Sequence, residues 1–484
     1  MRLFFFSIST DPQDYSIPRF EERMARCVNN TGNLLYTTAL MRQLRYDSIF
    51  QSYHVKENDP TAYDFMVFPM SNHLNSGWKL RRWVEEIKDI QLPVLVVGLG
   101  AQNDTPQTIV HPKSSTLRFF KILAGRTRTI GVRGLYTQRV LAHYGIHNTR
   151  VIGCPSAFWH CEPQIKLRWK DDAGEKLRLA FNGTRYELGQ FFSRYSPRHQ
   201  AERWLYQNAY ALGADYIYQS EKQEAEILRT GSMKILSEPA GIALQKLYQA
   251  PTAEALGQYV LEHGHIFYDA SQWVQHMGRY DFVIGTRLHG CMAALQAGTP
   301  ALLITHDSRT QEMAEFLQMP HLSAAAFAQR NFSIETLYQF SRSFPFESVY
   351  PEKYRNYRQF LDENAVPHRL PPPVHADTSP SRDIELSLWR EAFLKNLPKE
   401  APAPKPPQKR LLETFLKKIR YFFWHSRMRG EQTRYYLFGI PIHTRMMRVG
   451  DIECYNFWRK PVKATNSNLL SNWHAEASQA TSLR

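Results

Sequence analysis

Short apolar runs alternate with amphipathic segments of helical spacing through residues 1–400, and few folds accept that pattern. The runs that predict strands are 3–8, 62–69 (AYDFMVFP), 93–98 (PVLVVG), 127–132, 177–182 (LRLAFN), 214–218, 265–268, 281–284 and 300–304. Between them, 33–45, 78–88, 115–124, 134–144, 199–211, 251–262, 289–297 and 310–318 read as helices. Short apolar strands separated by helices imply parallel sheets covered on both faces. A polar, charged break at 163–176 divides the pattern into two halves of similar size. The expected fold class is α/β, with two doubly wound parallel-sheet domains facing a cleft. Ligands of such sheets sit beyond the C-terminal ends of the strands, where loops enter helices. The expected organisation is one domain over 1–165, a second over 166–345, and a helical or irregular return segment over 346–400. A proline-rich linker over 401–409 and a basic tail over 410–484 follow.

Charge separates the tail from the body. Lys and Arg number 60 against 45 Asp and Glu, a net +15. Residues 401–484 carry a net +10 of this, and 1–400 only +5. Such an excess suits an anionic partner: acidic lipid, polyanionic glycan or a phosphorylated substrate. Nucleic acid is not expected, because the basic tail has no recognised nucleic-acid fold signature. No stretch approaches the ~20 apolar residues of a membrane span. The apolar part of MRLFFFSIST is short for a secretion signal and reads as a first buried strand. The cysteines (Cys27, Cys154, Cys161, Cys291, Cys454) are odd in number and lack CxxC spacing. That argues against a disulfide framework or a zinc site and for a reducing cytosol.

The segment richest in chemistry is DFVIGTRLHGCMAALQAGTPALLITHDSRTQEMAEFLQMP, 281–320. Its order is strand, Gly285-Thr286-Arg287-Leu288-His289, a small-residue helix, Gly298-Thr299-Pro300, strand, then His306-Asp307-Ser308-Arg309. Arg287 and His289 fall between a strand end and a helix N-terminus, a place with free amides and a dipole favourable to anions. Arginine offers a bidentate fork for phosphate or carboxylate. Histidine holds or releases a proton near neutral pH. Taken alone, the pair reads equally as a structural arginine–carboxylate contact and a satisfied core histidine.

With its context, the 281–320 run resembles the signature of the polysaccharide pyruvyl transferase family. Other passages resemble family features in order: NNTGNLL (29–35), VVGLGAQ (96–102), GVRGLYTQRVLAHYGI (131–146) with VIGCPS (151–156), and LAFNGTR (179–185). Together they cover roughly 1–330. The resemblance implies a GT-B-like fold and transfer of a pyruvyl group from phosphoenolpyruvate to a sugar. There are three departures. Gly32-Asn33 stands where the family has Gly-Asp, Met70-Ser71-Asn72 where it has a glycine-rich turn, and Arg309 where it has lysine. The first two point to an unusual acceptor; the third keeps the charge.

Pyruvyl ketal formation needs an acid for the terminal carbon of the enol phosphate, cations for its phosphate and carboxylate, and a base for the sugar hydroxyl. The resemblance assigns Arg287 and Arg185 to the two anionic groups, with the backbone at Leu288 and the helix N-terminus in support. Arg309 is a third cation and His289 the candidate acid or phosphate partner. No cofactor beyond phosphoenolpyruvate as co-substrate is implied, and no carboxylate or histidine cluster has metal-ligand spacing. The acceptor implied is a surface polysaccharide or its lipid-linked precursor, as in capsule or exopolysaccharide assembly.

Other conspicuous residues have blander readings beside the sharper ones. Arg133, between a strand and a helix, lines the cleft or makes an interdomain or capping ion pair. His73 and Asp104 sit on first-domain loops, either near an acceptor or simply solvated. His263 and His265 flank Gly264 and read as a surface turn. Trp78, Trp83 and Trp204 suit sugar stacking, but their helical spacing suits core. Cys291 reads as a buried apolar residue. In the tail, RLLETFLKKIRYFFWHSRMR (410–429) reads as a basic amphipathic helix. It suits an anionic membrane surface at the inner face of the cell membrane, or equally a docking face on the body. YYLFGIPIHTR (435–445) resembles a short module at the ends of bacterial glycan-assembly enzymes. Two alternatives stand beside the main reading. One is a GT-B-type glycosyltransferase using a nucleotide sugar, for which no ribose carboxylate is evident. The other is a non-catalytic polyanion-binding protein.

Overall fold

The computed structural model describes residues 1–170, 177–184, 196–328, 332–373 and 390, with the backbone of five strands within 424–462. The chain divides into two units, Met1–Glu400 and Ala401–Arg484. The first unit holds two larger parallel sheets and a two-stranded parallel pair. Strands β1 (Arg2–Phe5), β2 (Ser48–Gln51), β3 (Phe65–Pro69) and β4 (Val94–Val97) run in the order β2-β1-β3-β4. β5 (Ile130–Val132) and β6 (Thr149–Val151) pair in parallel. The Gly98 and Leu99 amides donate to Gly131 O at 2.9 and 3.0 Å, which ties this pair to the end of β4.

The second sheet has β7 (Leu179–Asn182), β8 (Asp215–Tyr218), β9 (Gly264–Ile266), β10 (Phe282–Gly285), β11 (Ala301–Thr305) and β12 (His321–Ser323). Their order is β12-β11-β10-β7-β8-β9, all parallel. The chain winds from β7 outward through β8 and β9, then returns to start again at β10. The crevice between β7 and β10 is the switch point of a doubly wound sheet, the place where such sheets bind ligands.

Burial on both faces accounts for the apolar runs. Leu3 and Phe5 of β1 enter one core cluster, with the helix Gly32–Gln43; Phe4 and the next residue, Phe6, enter another, with Phe119 and Val84. The first of these clusters continues into the helix Leu288–Gln296 and the long helix Phe346–Glu363, so one core spans both sheets. Helix Phe346–Glu363 returns to the first sheet: Tyr350 Oη donates to Ala157 O at 2.9 Å and Tyr357 Oη to Gln43 Oε1 at 2.6 Å. The C-terminal strand ends of the two sheets meet. Gln102 Nε2 donates to Asp307 Oδ2 at 3.0 Å, and Asn103 and Ser308 exchange bonds of 2.9 and 3.1 Å. The architecture is α/β and GT-B-like.

Three strands beyond the expected set are present, β2, β6 and β12, each three or four residues long. β2 and β12 end their sheets. His263 and His265 do not form a surface turn. His263 closes the helix Ala253–His263 and His265 lies in β9, both only partly exposed.

The second unit contains β13 (Trp424–Arg429), β14 (Gln432–Leu437), β15 (Ile440–Arg448), β16 (Asp451–Tyr455) and β17 (Pro461–Val462), an antiparallel meander. This corrects the expected helix over 410–429 at its C-terminal end; residues 410–423 lie outside the described residues. The facing strand ends of β13–β14, β14–β15 and β15–β16 are separated by two residues, one of them Gly430, Gly439 or Gly450. Glycine in a two-residue connection favours a hairpin, and hairpins override helical spacing here. Among the described residues no helix is long and apolar enough to cross a membrane.

Candidate functional site

The site is built on the switch point of the second sheet. β7 ends at Asn182 and β10 at Gly285, side by side. The Asn182 side chain lies between Gly285 and Gly290, where a Cβ on Gly290 would come within 2.6 Å of it. Asn182 O accepts from the Thr286 amide at 3.0 Å and its Oδ1 from the Arg287 amide at 3.2 Å. The turn is therefore fixed by a buried side chain, and the helix begins at Leu288. The first amides of a helix have no partner within it, so this end carries partial positive charge.

Arg287, the N-cap residue, folds back over the end of β8. Its Nη2 contacts Glu221 Oε1 at 2.8 Å and Ser220 Oγ, and its Nε donates to Gly183 O at 3.2 Å. Burial alone would lower its pKa, but Glu221 outweighs burial and holds it above the ordinary value. Burial likewise pushes Glu221 up, and Arg287 with the amides of Ser220 and Gln219 brings it below the usual carboxylate range. The guanidinium is a fixed charge held by one buried carboxylate.

His289 is the second residue of the helix and reaches the other sheet. Its Nε2 is 3.8 Å from Cys154 Sγ and its ring packs on Tyr36 at 5.4 Å between centroids. A Cβ on Gly32 would lie 2.8 Å from His289 Nδ1, so glycine is what lets this helix start approach the ring. Two helix N-termini, Gly32–Gln43 and Leu288–Gln296, thus converge on one imidazole. Burial, then Arg133, Arg309 and Arg287, push the His289 pKa well below its ordinary value, so the ring is neutral at pH 7.

Arg133 is the cation that sequence reasoning left open between two roles. It is 1 % exposed, and among the described residues no carboxylate pairs with it within ion-pair distance. Its Nη2 reaches Met70 O at 3.4 Å and Cys154 Sγ at 3.9 Å, the Tyr36 ring lies 5.8 Å from the guanidinium carbon, and its Nε has no hydrogen-bond partner among the described residues. A buried guanidinium so poorly met is costly unless something else meets it. Other buried donors are unmet nearby: Thr31 Oγ1 and Gln219 Nε2, whose backbones bond to each other across the two sheets, and Arg309 Nε. Arg309 pairs with Asp307 at 3.3 Å, and Asp307 caps its helix through Thr310. His306 is held down to about 3 by burial first, so it too is neutral. Arg198, absent from the sequence reading, stands 3.9 Å from Glu202. Glu202 receives Thr286 Oγ1 at 2.7 Å and the Thr184 amide at 2.8 Å, and burial pushes it up to about 7.

Of the residues expected at the site, Arg287, Leu288, His289 and Arg309 come together around this pocket. Leu288 is buried in the core that joins the sheets, so its backbone is its contribution. Arg185 lies outside the described residues. His73 is a core histidine: its Nδ1 accepts the Ser71 amide at 3.0 Å and its ring packs on Trp78 and Trp83. Asp104 is exposed. Trp204 packs on Phe327 in the core of the second sheet. Burial pushes the Cys291 thiol up to about 12, which makes it inert at neutral pH. Asn33 donates from Nδ2 to Cys27 O at 2.9 Å, a bond that the aspartate usual at this place cannot make.

Two opposed doubly wound sheets, with Arg133, Arg287, His289 and Arg309 gathered about the switch point of the second, define a GT-B-like α/β protein. Residues 30–308 match the family model for polysaccharide pyruvyl transferase, and the chain belongs to that family. It is a transferase of that class. No curated protein sequence matches it. Solved structures similar to it include accessory secretory protein 1, 2 and 3 of Streptococcus pneumoniae (11% identity, TM-score 0.26), where 68% of this chain spans 54% of that one. The S. aureus MnaA–UDP co-structure (8%, 0.33) is covered over 99% of its length by 83% of this chain. A UDP-N-acetylglucosamine 2-epimerase (10%, 0.32) is matched over the same shares. Similarities this low carry no argument about function.

Proposed function

We propose that the chain moves the pyruvyl group of phosphoenolpyruvate onto two hydroxyls of one sugar, in a surface polysaccharide or its lipid-linked precursor, on the cytoplasmic side of the membrane. The observation that carries this reading is the cluster of His289 with Arg133, Arg287 and Arg309, next to buried donors that have no hydrogen-bond partner among the described residues. Phosphoenolpyruvate brings up to three negative charges on two groups. Arg287, the amides from Leu288 onward and Arg309 hold the phosphate, and Arg133 holds the carboxylate. Arg185, next in sequence to Thr184, is a further cation by family resemblance.

The neutral state of His289 fits this role. A neutral imidazole is not an acid for carbon, but a bound trianion reverses the local electrostatics and favours imidazolium. Donor binding therefore takes up a proton, which His289 delivers to the terminal carbon of the enol. The adjacent carbon becomes electrophilic, and one sugar hydroxyl adds and loses its proton. The carbon–oxygen bond to phosphate breaks, the second hydroxyl closes the ketal, and its proton leaves with phosphate. A nucleotide-sugar site would call for a carboxylate to receive ribose; Glu221 and Asp307 are each already paired with an arginine. Arg287→Ala and His289→Ala are expected to abolish phosphate release from phosphoenolpyruvate, assayed with a glycan-lipid extract as acceptor, while circular dichroism stays that of the parent. Undiminished turnover in both variants would overturn the site.

A further inference from the structure

A second cluster of chemically capable side chains lies at the other end of the second sheet. Asp215 opens β8, His265 lies in β9, and His276 is on the helix Ala270–Met277. One ligand atom from each falls within 4.8 Å of the others. His265 Nε2 is already 3.2 Å from Asp215 Oδ2. The Tyr280 hydroxyl donates to the same Oδ2 at 2.7 Å and meets His276 Nε2 at 2.8 Å, so it bridges Asp215 and His276 and gives up these contacts when an ion takes its place. His263 Nδ1 sits 3.0 Å from the other carboxylate oxygen and orients it from outside. A cavity of about 760 Å³, lined in part by Asp215, His265, His276 and Tyr280, opens the cluster to solvent.

We propose that Asp215, His265 and His276 bind one divalent transition-metal ion of the zinc class, at a site remote from the pocket at the switch point. Two imidazoles and a carboxylate are a donor set such ions accept, with a position left for water. Metal-bound atoms at bond lengths of about 2.1 Å lie roughly 3.4 Å apart, so the side chains close in by about an ångström on binding. The second carboxylate oxygen keeps its histidine partner, the outer support that metal ligands require. The ion ties β8 and β9 to the helix Ala270–Met277, which precedes β10, so it stabilises the sheet that carries Arg287 from the far end.

Cobalt(II) reports the site directly on the full chain after removal of metal with a chelator. Titration is expected to give visible absorption saturating at one equivalent, and zinc is expected to quench it and raise the melting temperature. His265→Gln/His276→Gln is expected to lose the absorption and the zinc-induced shift, with His147→Gln unchanged. No visible band in the parent protein, or an equal band in the double variant, would overturn the proposal. The parent titration decides the matter even if the double variant fails to fold.

Discussion

At the scale of single residues, the site depends on a histidine held neutral by its surroundings. Burial and three arginines disfavour imidazolium at position 289. A donor that supplies negative charge raises this pKa, so binding and protonation are linked. Calorimetric titration with phosphoenolpyruvate in two buffers of different ionisation enthalpy is expected to show net proton uptake, with affinity falling as pH rises. In His289→Ala that uptake should disappear. Buffer-independent heats in the parent protein would remove His289 from the proton path. Much of this was legible locally: Arg287, Leu288 and His289 are neighbours in sequence. Arg133, Asn182 and Glu221 were not, because each comes from a different strand end, nor was Arg198, in the first turn of the helix Pro197–Leu212; only the fold brings them together. A strand followed by a buried arginine was the one available signal for Arg133, and it fits an ion pair equally well.

At the scale of elements, the sequence pattern works where burial is complete. β1, β3, β4, β10 and β11 are continuous apolar runs because helices cover both faces. β2 and β12 are short and lie at sheet edges, where part of each strand faces solvent and the apolar run is lost. The interface between sheets also hides a titrating group. Glu312, on the helix Ser308–Leu317, accepts the Thr137 amide at 2.9 Å and Thr137 Oγ1 at 2.6 Å. Burial raises its pKa from 4.5 to about 7. Between these values the folded protein keeps a proton that the unfolded chain has released, so this group's contribution falls as pH rises through the window. Urea unfolding at pH 4.5 and 8 should show Glu312→Gln losing less stability than the parent, by up to about 3 kcal/mol. Identical pH dependence in the two proteins would mean that Glu312 titrates normally.

At the scale of the whole molecule, the proposed site and most of the positive charge reside in different units. The body, Met1–Glu400, forms one unit and holds the pocket; Ala401–Arg484 forms another and carries most of the positive excess. The helix expected over 410–429 gives way to a strand at Trp424–Arg429; its apolar positions, Leu411 to Phe423, lie outside the described residues. A tail that binds acidic lipid predicts that the full chain sediments with anionic vesicles, less so as salt rises, and that the fragment 1–400 does not, while the fragment keeps phosphoenolpyruvate turnover within about twofold. Equal sedimentation by the fragment would assign the membrane contact to the body instead.

The central claim is that the switch-point pocket holds phosphoenolpyruvate through Arg133, Arg287 and His289. Thermal-shift titration with phosphoenolpyruvate beside a panel of nucleotide sugars tests it most directly. The account predicts stabilisation by phosphoenolpyruvate alone, and its loss in Arg133→Ala and Arg287→Ala. Stabilisation by a nucleotide sugar and not by phosphoenolpyruvate would contradict it.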